Sequence, residues 1–151
     1  MKKRIGVLSC ANVQNEVACP KVACLDSCRR GIHAFSRYAD DGGADVVGVI
    51  SCAGCPTTRV PEKILRQVRS LAACGVDAIH LSSCMMLLCP FKAKYAAVIR
   101  KEFPWLEIVE GTHDAPEAVN AIFAETVGSI LGTQRRSMAD LIEAAAKMEQ
   151  A

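Results

Sequence analysis

An α/β domain built on a mainly parallel sheet is the fold this sequence predicts, and three observations predict it. Short β-branched or apolar runs alternate along the chain with stretches of helical period. Neither a low-complexity linker nor an internal repeat interrupts that alternation. The 151 residues, 51% apolar and 23% charged, suit a single soluble domain over 1–151 with one sizeable core.

The strands expected are Ile5–Leu8, Val46–Ile50, Ala78–Leu81 and Glu107–Val109. Between the first two, Val22, Leu25, Ile32, Phe35 and Tyr38 mark a helix, less regular because Gly31 sits inside it and stopped by Asp41-Gly42-Gly43. Ile64, Leu65, Val68, Leu71 and Ala72 form a second helical stripe, opened by Pro61 and closed by Gly75. Phe91, Tyr95, Val98 and Ile99 form a third, ended by Pro104. Val119, Ile122, Phe123 and Ile130 suggest a fourth. Ser137 can cap a fifth that buries Leu141, Ile142, Ala145 and Met148, so that 115–151 reads as a helical C-terminal part. This order predicts a sheet of about four strands with helices on both sides, in a flavodoxin-like, doubly wound arrangement. Such sheets bind ligands at the carboxyl ends of their strands.

Composition removes several function classes. The net charge is only +2 and aromatic residues are 5% of the chain, with no basic stripe, so a nucleic-acid partner is not expected. The most apolar stretches, 46–50 and 85–89, fall far short of the ~20 residues of a membrane-spanning helix. Met1-Lys2-Lys3-Arg4 is a basic start, but the apolar run after it ends at Ser9, too early for a secretory leader. A cytoplasmic location is therefore expected, where thiols stay reduced. No G-x-G-x-x-G and no Walker loop is present.

Nine cysteines remain to be explained. In a reducing compartment a cysteine-dense chain argues for metal binding or thiol chemistry before disulfides, and an odd number cannot pair completely within one chain. Their placement is more telling than their number. Cys10 follows the first expected strand, Cys52 and Cys55 the second, Cys84 the third, and His113 the fourth. Cys19 and Cys24 fall in the loop after the first strand and Cys89 in the loop after the third, so all seven are assigned to strand-to-helix connections at one edge of the sheet. Cys28 and Cys74 lie on helices instead, where a cysteine commonly serves as a small buried hydrophobe.

Local chemistry points the same way. Cys52-Ala53-Gly54-Cys55 is a C-x-x-C whose small residues let backbone wrap a metal or cluster closely, although redox dithiols share that spacing. Cys19, Cys55 and Cys89 each precede a proline, which biases the cysteine toward extended backbone and removes a donor. Helix amino-termini at this edge favour thiolates and an anionic cluster. His80, inside a strand, is expected to be a buried, hydrogen-bonded histidine. His113 is open between a ligand, an acid–base group and a loop histidine bonded to Asp114. Met85-Met86-Leu87-Leu88 reads as packing beside the site.

Several segments together resemble the CGGC-domain family, small cysteine-rich proteins regarded as candidate metal (zinc) binders. They are Cys19-Pro20 with Cys24, Gly31 through Phe35 with Tyr38, Cys52-Ala53-Gly54-Cys55-Pro56, Ile79 through Met85, Cys89-Pro90 and Glu110-Gly111-Thr112-His113, spread over about 5–114. Ala53 stands where the family signature has its first glycine, and Cys28 and Cys74 lie outside the family pattern. The resemblance implies a metal site but names no reaction.

The sequence thus predicts a metal-binding protein with Cys10, Cys19, Cys24, Cys52, Cys55, Cys84 and Cys89 as ligands. Seven thiols exceed one tetrahedral zinc, so a [4Fe–4S] iron–sulfur cluster is the first expectation and zinc the second, in a redox, sensing or metal-handling role. A redox or metal-delivery protein is the expected partner, with homodimer formation open. The alternative is a thiol–disulfide oxidoreductase using Cys52 and Cys55 as attacking and resolving thiols.

Overall fold

A computed structural model describes residues 1–55 and 60–115 and, within 117–129, positions 117, 120–126 and 129. Four strands, β1 (Lys3–Ser9), β2 (Ala44–Ser51), β3 (Ala78–Leu81) and β4 (Glu107–Glu110), form one sheet in the order β2-β1-β3-β4, with every pairing parallel. This α/β fold matches the expected class, and all four strands lie where their apolar runs place them. The order is that of flavodoxin-like sheets, in which the order of strand addition reverses between β1 and β3 and leaves a crevice at the strand ends.

Both faces of the sheet are covered. On one, α3 (Val60–Ala73) and α5 (Lys92–Glu102) bury Ile64, Val68, Tyr95 and Ile99 against Leu8, Ile79 and Leu81. On the other, Cys28, Phe35 and Tyr38 pack on Ile5, Val7, Ala78 and Val109. Alternate residues of β1 therefore enter different cores, which is why its sequence reads as nearly continuous apolar residues rather than alternating ones. Glycine at positions 6 and 48 lets α3 approach closely. A Cβ on Gly6 would lie 2.6 Å from Leu71 Cδ1, and one on Gly48 2.8 Å from Leu71 Cδ2.

The structure corrects several expectations. The helix expected over 22–38 is two pieces, α2 (Val22–Arg30) and a 3-10 helix (His33–Tyr38). Gly31 separates them at φ +62, with its N–H on Cys28 O and that of Ile32 on Ser27 O, a Schellman-type stop that a residue with a Cβ takes up only at a cost. Two six-residue helices, α1 (Ala11–Glu16) and α4 (Ser83–Leu88), were not expected, because six residues are too few to show a helical period. Cys24 and Cys84 consequently sit in the opening turns of α2 and α4 rather than in loops. Cys74 is exposed, not buried, since it follows the last turn of α3 and its carbonyl accepts a hydrogen bond from Arg4. Residues 120–126 are helical, which covers Ile122 and Phe123; Val119, Ile130 and the whole fifth helix lie outside the described residues. Among the described residues, no helix is long and apolar enough to cross a membrane.

Candidate metal centre

The site is assembled at the carboxyl ends of β1, β2 and β3. The β1–β2 ladder runs to Ser9↔Ser51 and continues one step further, with the Cys52 N–H on Ser9 O at 2.8 Å. Cys10 and Cys52 thus stand side by side on neighbouring strands. Their thiols are hydrogen-bonded to each other, and the Ala11 N–H donates to Cys52 Sγ at 3.3 Å. Shared this way, the proton stays on Cys10. The hydrogen bond to Cys52, followed by burial, pushes the Cys10 thiol up, while Cys52 is lowered to about 6 by that same bond, helped by backbone N–H groups that favour its thiolate.

Asn12 fixes the C-x-x-C loop, accepting from the Cys55 N–H at 3.3 Å and donating to the Cys55 carbonyl at 3.4 Å. Gly54 turns that loop at φ +82, whereas Ala53 is not in the left-handed region. The glycine that the conformation requires is the one retained. Asn12 is buried and carries no motif that could have announced this role.

The β3 and β4 ends are knitted together by Ser83. Its Oγ accepts the Thr112 and His113 N–H groups, each at 3.1 Å. Thr112 Oγ1 lies 3.3 Å from Cys24 Sγ, and His113 Nδ1 lies 3.5 Å from the same sulfur. His113 therefore faces Cys24, while Asp114 pairs with His33 at 3.1 Å, so the anticipated His113–Asp114 partnership does not form. Cys84 Sγ is held 3.0 Å from Ser82 Oγ. Cys19-Pro20 is flanked by Ala18 at φ +52 and Lys21 at φ +60. Two non-glycine residues in the left-handed region within four positions concentrate backbone strain in this one thiol loop. Cys89 ends α4 in extended backbone, as a cysteine before proline should.

Four of the thiols, on Cys10, Cys19, Cys24 and Cys84, line a cavity of about 730 Å³ together with His113, Met86, Leu87 and Phe123. The thiols also act on one another electrostatically. Cys10 is raised in part by Cys52 and Cys84, and Cys24, chiefly by burial, also by Cys84 and Cys19. Cys89, again chiefly through burial, is raised by Cys52 and Cys55 as well. These pairs link all seven into one series running Cys19, Cys24, Cys84, Cys10, Cys52 and, through Cys89, Cys55. Cys28 is raised by burial and by Asp45, not by a member of the series. Among the described residues, no three Cys, His, Asp or Glu side chains are gathered tightly enough to grip a single ion.

A family model, the CGGC domain, matches residues 4–113. The chain belongs to the CGGC-domain family. No curated protein and no solved structure matches it. Within the CGGC domain the matched segment contains β1 to β4 and all nine cysteines, and the C-terminal residues follow it. Domain membership and cysteine richness are compatible with metal binding.

Proposed function

We propose that this protein carries an iron–sulfur cluster on Cys10, Cys19, Cys24 and Cys84, the four thiols that share the cavity at the β1/β3 crevice. Their common place on the lining of that cavity carries the reading, and the mutual influence of neighbouring thiols supports it. Stored as neutral thiols, such a series is stable; as thiolates, its members repel one another, and Lys21, the lysine on the cavity wall, is bonded to Gln14. A bound cationic centre reverses that balance, because metal ligation requires the deprotonated form and compensates its charge.

The donor set suits the cluster. Soft thiolates are its usual ligands, and the four that line this cavity would match its coordination number. Bound there, a four-iron cluster supplies one-electron transfer. The chain's own residues would position it: Thr112 and Ser82 lie within hydrogen-bond reach of Cys24 and Cys84, and Met86, Leu87 and Phe123 add apolar lining. Cys52, Cys55 and Cys89 stand next to this set as a second group of thiols. Zinc is the second reading, favoured by the contact between Cys10 and Cys52, since thiolates on one zinc, with Zn–S near 2.3 Å, stand only about 3.8 Å apart.

Protein purified without oxygen should be brown, with broad visible absorption that bleaches on reduction and with iron and acid-labile sulfide in equal amounts. A colourless protein with stoichiometric zinc and no sulfide would replace the cluster with the zinc reading.

A further inference from the structure

We propose that Cys10 and Cys52 form a reversible dithiol–disulfide couple that exchanges with small organic disulfides, in place of the Cys52/Cys55 pair that the C-x-x-C spacing suggests. The strand register carries this inference. Ser9 and Ser51 are paired, Cys52 N–H bonds to Ser9 O, and Cys10 keeps an extended backbone at φ −75, ψ 121 before α1 begins. Residues one step beyond a paired position on adjacent parallel strands project to the same side. Neighbouring strands run about 4.8 Å apart, inside the roughly 4.4–6.8 Å between Cα atoms that a disulfide requires. The register sets the two backbones side by side, and each thiol directly influences the other.

The two cysteines also differ in the way exchange needs. Cys52 is half-buried and its sulfur accepts the Ala11 N–H, so it is the reachable, acceptor-side sulfur. Cys10 is buried beneath it, at 8% exposure. The Cys52 sulfur attacks one sulfur of R–S–S–R, forming a Cys52–S–S–R mixed disulfide and releasing R–S⁻. Cys10 sulfur then attacks Cys52 sulfur, forming the Cys10–Cys52 bond and releasing a second R–S⁻. The two thiol protons pass to the two leaving thiolates, so one disulfide is reduced to two thiols and one protein dithiol is oxidised. Asn12 grips both backbone polar groups of Cys55 and so fixes the backbone of the C-x-x-C loop at that residue.

The inference does not depend on the metal reading, although oxidation withdraws Cys10 from the proposed ligand set, so metal and disulfide exclude each other. The test uses the full chain, reduced, with its metal content recorded, and glutathione disulfide as the probe. After brief exposure and alkylation, tryptic peptides 5–21 and 38–59 should be joined, with two glutathiones released per chain. The joint should persist in Cys19→Ser and in Cys55→Ser, and Cys10→Ser should leave glutathione trapped on Cys52. A disulfide confined to peptide 38–59, or a joint that survives Cys10→Ser, would overturn the proposal. If a variant misfolds, fragmentation of the joined wild-type peptides decides, because it places the bond on Cys10 or Cys19 and on Cys52 or Cys55. Metal analysis of the same samples reports separately on the proposed cluster.

Discussion

His80, inside the sheet, and the seven linked thiols, at its carboxyl edge, are both polar groups, yet they are treated in opposite ways. His80 is 0% exposed and fully satisfied. Its Nδ1–H donates to Gly111 O at 2.9 Å, its Nε2 accepts from Tyr38 Oη at 2.9 Å, and its ring stacks on Phe35 at 4.4 Å. The thiols beyond the strand ends are half-buried or buried near others of their kind, where losing a proton at one raises its neighbours. The first arrangement is complete as it stands, which is what stability requires. The second sets thiol against thiol, an arrangement that the proposed metal centre would complete.

That contrast can be broken most strongly through protons. Cys10 and Cys24 are both held above the ordinary thiol range, so loading a metal on them displaces two protons. Affinity for Zn²⁺, used as a probe, should fall at least about a hundredfold per pH unit as the pH drops below 8, with matching proton release in weakly buffered titrations. A pH-independent affinity would show that these thiols are not ligands.

Removing His80 should do the reverse, harming the fold and sparing the site. His80→Ala leaves Tyr38 Oη and Gly111 O without their partner and opens a hole beside Phe35, costing about 3 kcal/mol in denaturant unfolding. Metal per folded chain should not change. Equal loss of stability and metal would merge the two regions that the structure separates.

The same histidine gives stability a pH dependence. Burial, the first cause, lowers it to about 4, against an ordinary value near 6.5 in the unfolded chain. Between those values the unfolded state binds the extra proton. Stability is therefore complete above pH 6.5 and falls as the pH drops toward 4, by up to about 1.4 kcal/mol per unit. Denaturant midpoints of wild type and His80→Ala, measured from pH 7 to 4.5, should converge as the pH falls.

The smallest effects belong to the two cysteines outside the series. Cys28→Ser replaces a buried thiol packed near Phe35 and should cost about 1–2 kcal/mol. Cys74→Ser, at an exposed position, should stay within about 0.5 kcal/mol of wild type.

How much of this was legible in the sequence follows from the range of each interaction. Strands buried on both faces show up as apolar runs, so β1 to β4 could be read directly, and with them the edge at which seven cysteines gather. Helices α1 and α4 could not, because six residues carry too little period, and this is why Cys84 reads as part of a connection; Cys24 lies in the first turn of α2, where a helix start is hard to read. The Cys10–Cys52 contact depends on register between strands more than thirty residues apart, which no local pattern encodes; the C-x-x-C spacing instead draws attention to Cys55. The burial of His80 was legible from its position in a strand. His113 facing Cys24, with His33 taking Asp114, was not, because Ser83 sets the path of that loop from a distant helix. Exposure of Cys74 reflects where α3 stops, the least certain feature of any periodic stripe.

The central claim, that the linked thiols at the sheet edge are the metal site and the remaining cysteines are not, is tested most directly by metal analysis of two variants purified without oxygen. Cys84→Ser removes a thiol at the β3 end of the crevice, and Cys74→Ser removes one at the far end of α3. Cys84→Ser should lose most of its metal and its visible absorption while keeping its fold, and Cys74→Ser should match wild type in both. Full metal in Cys84→Ser together with loss in Cys74→Ser would contradict the account.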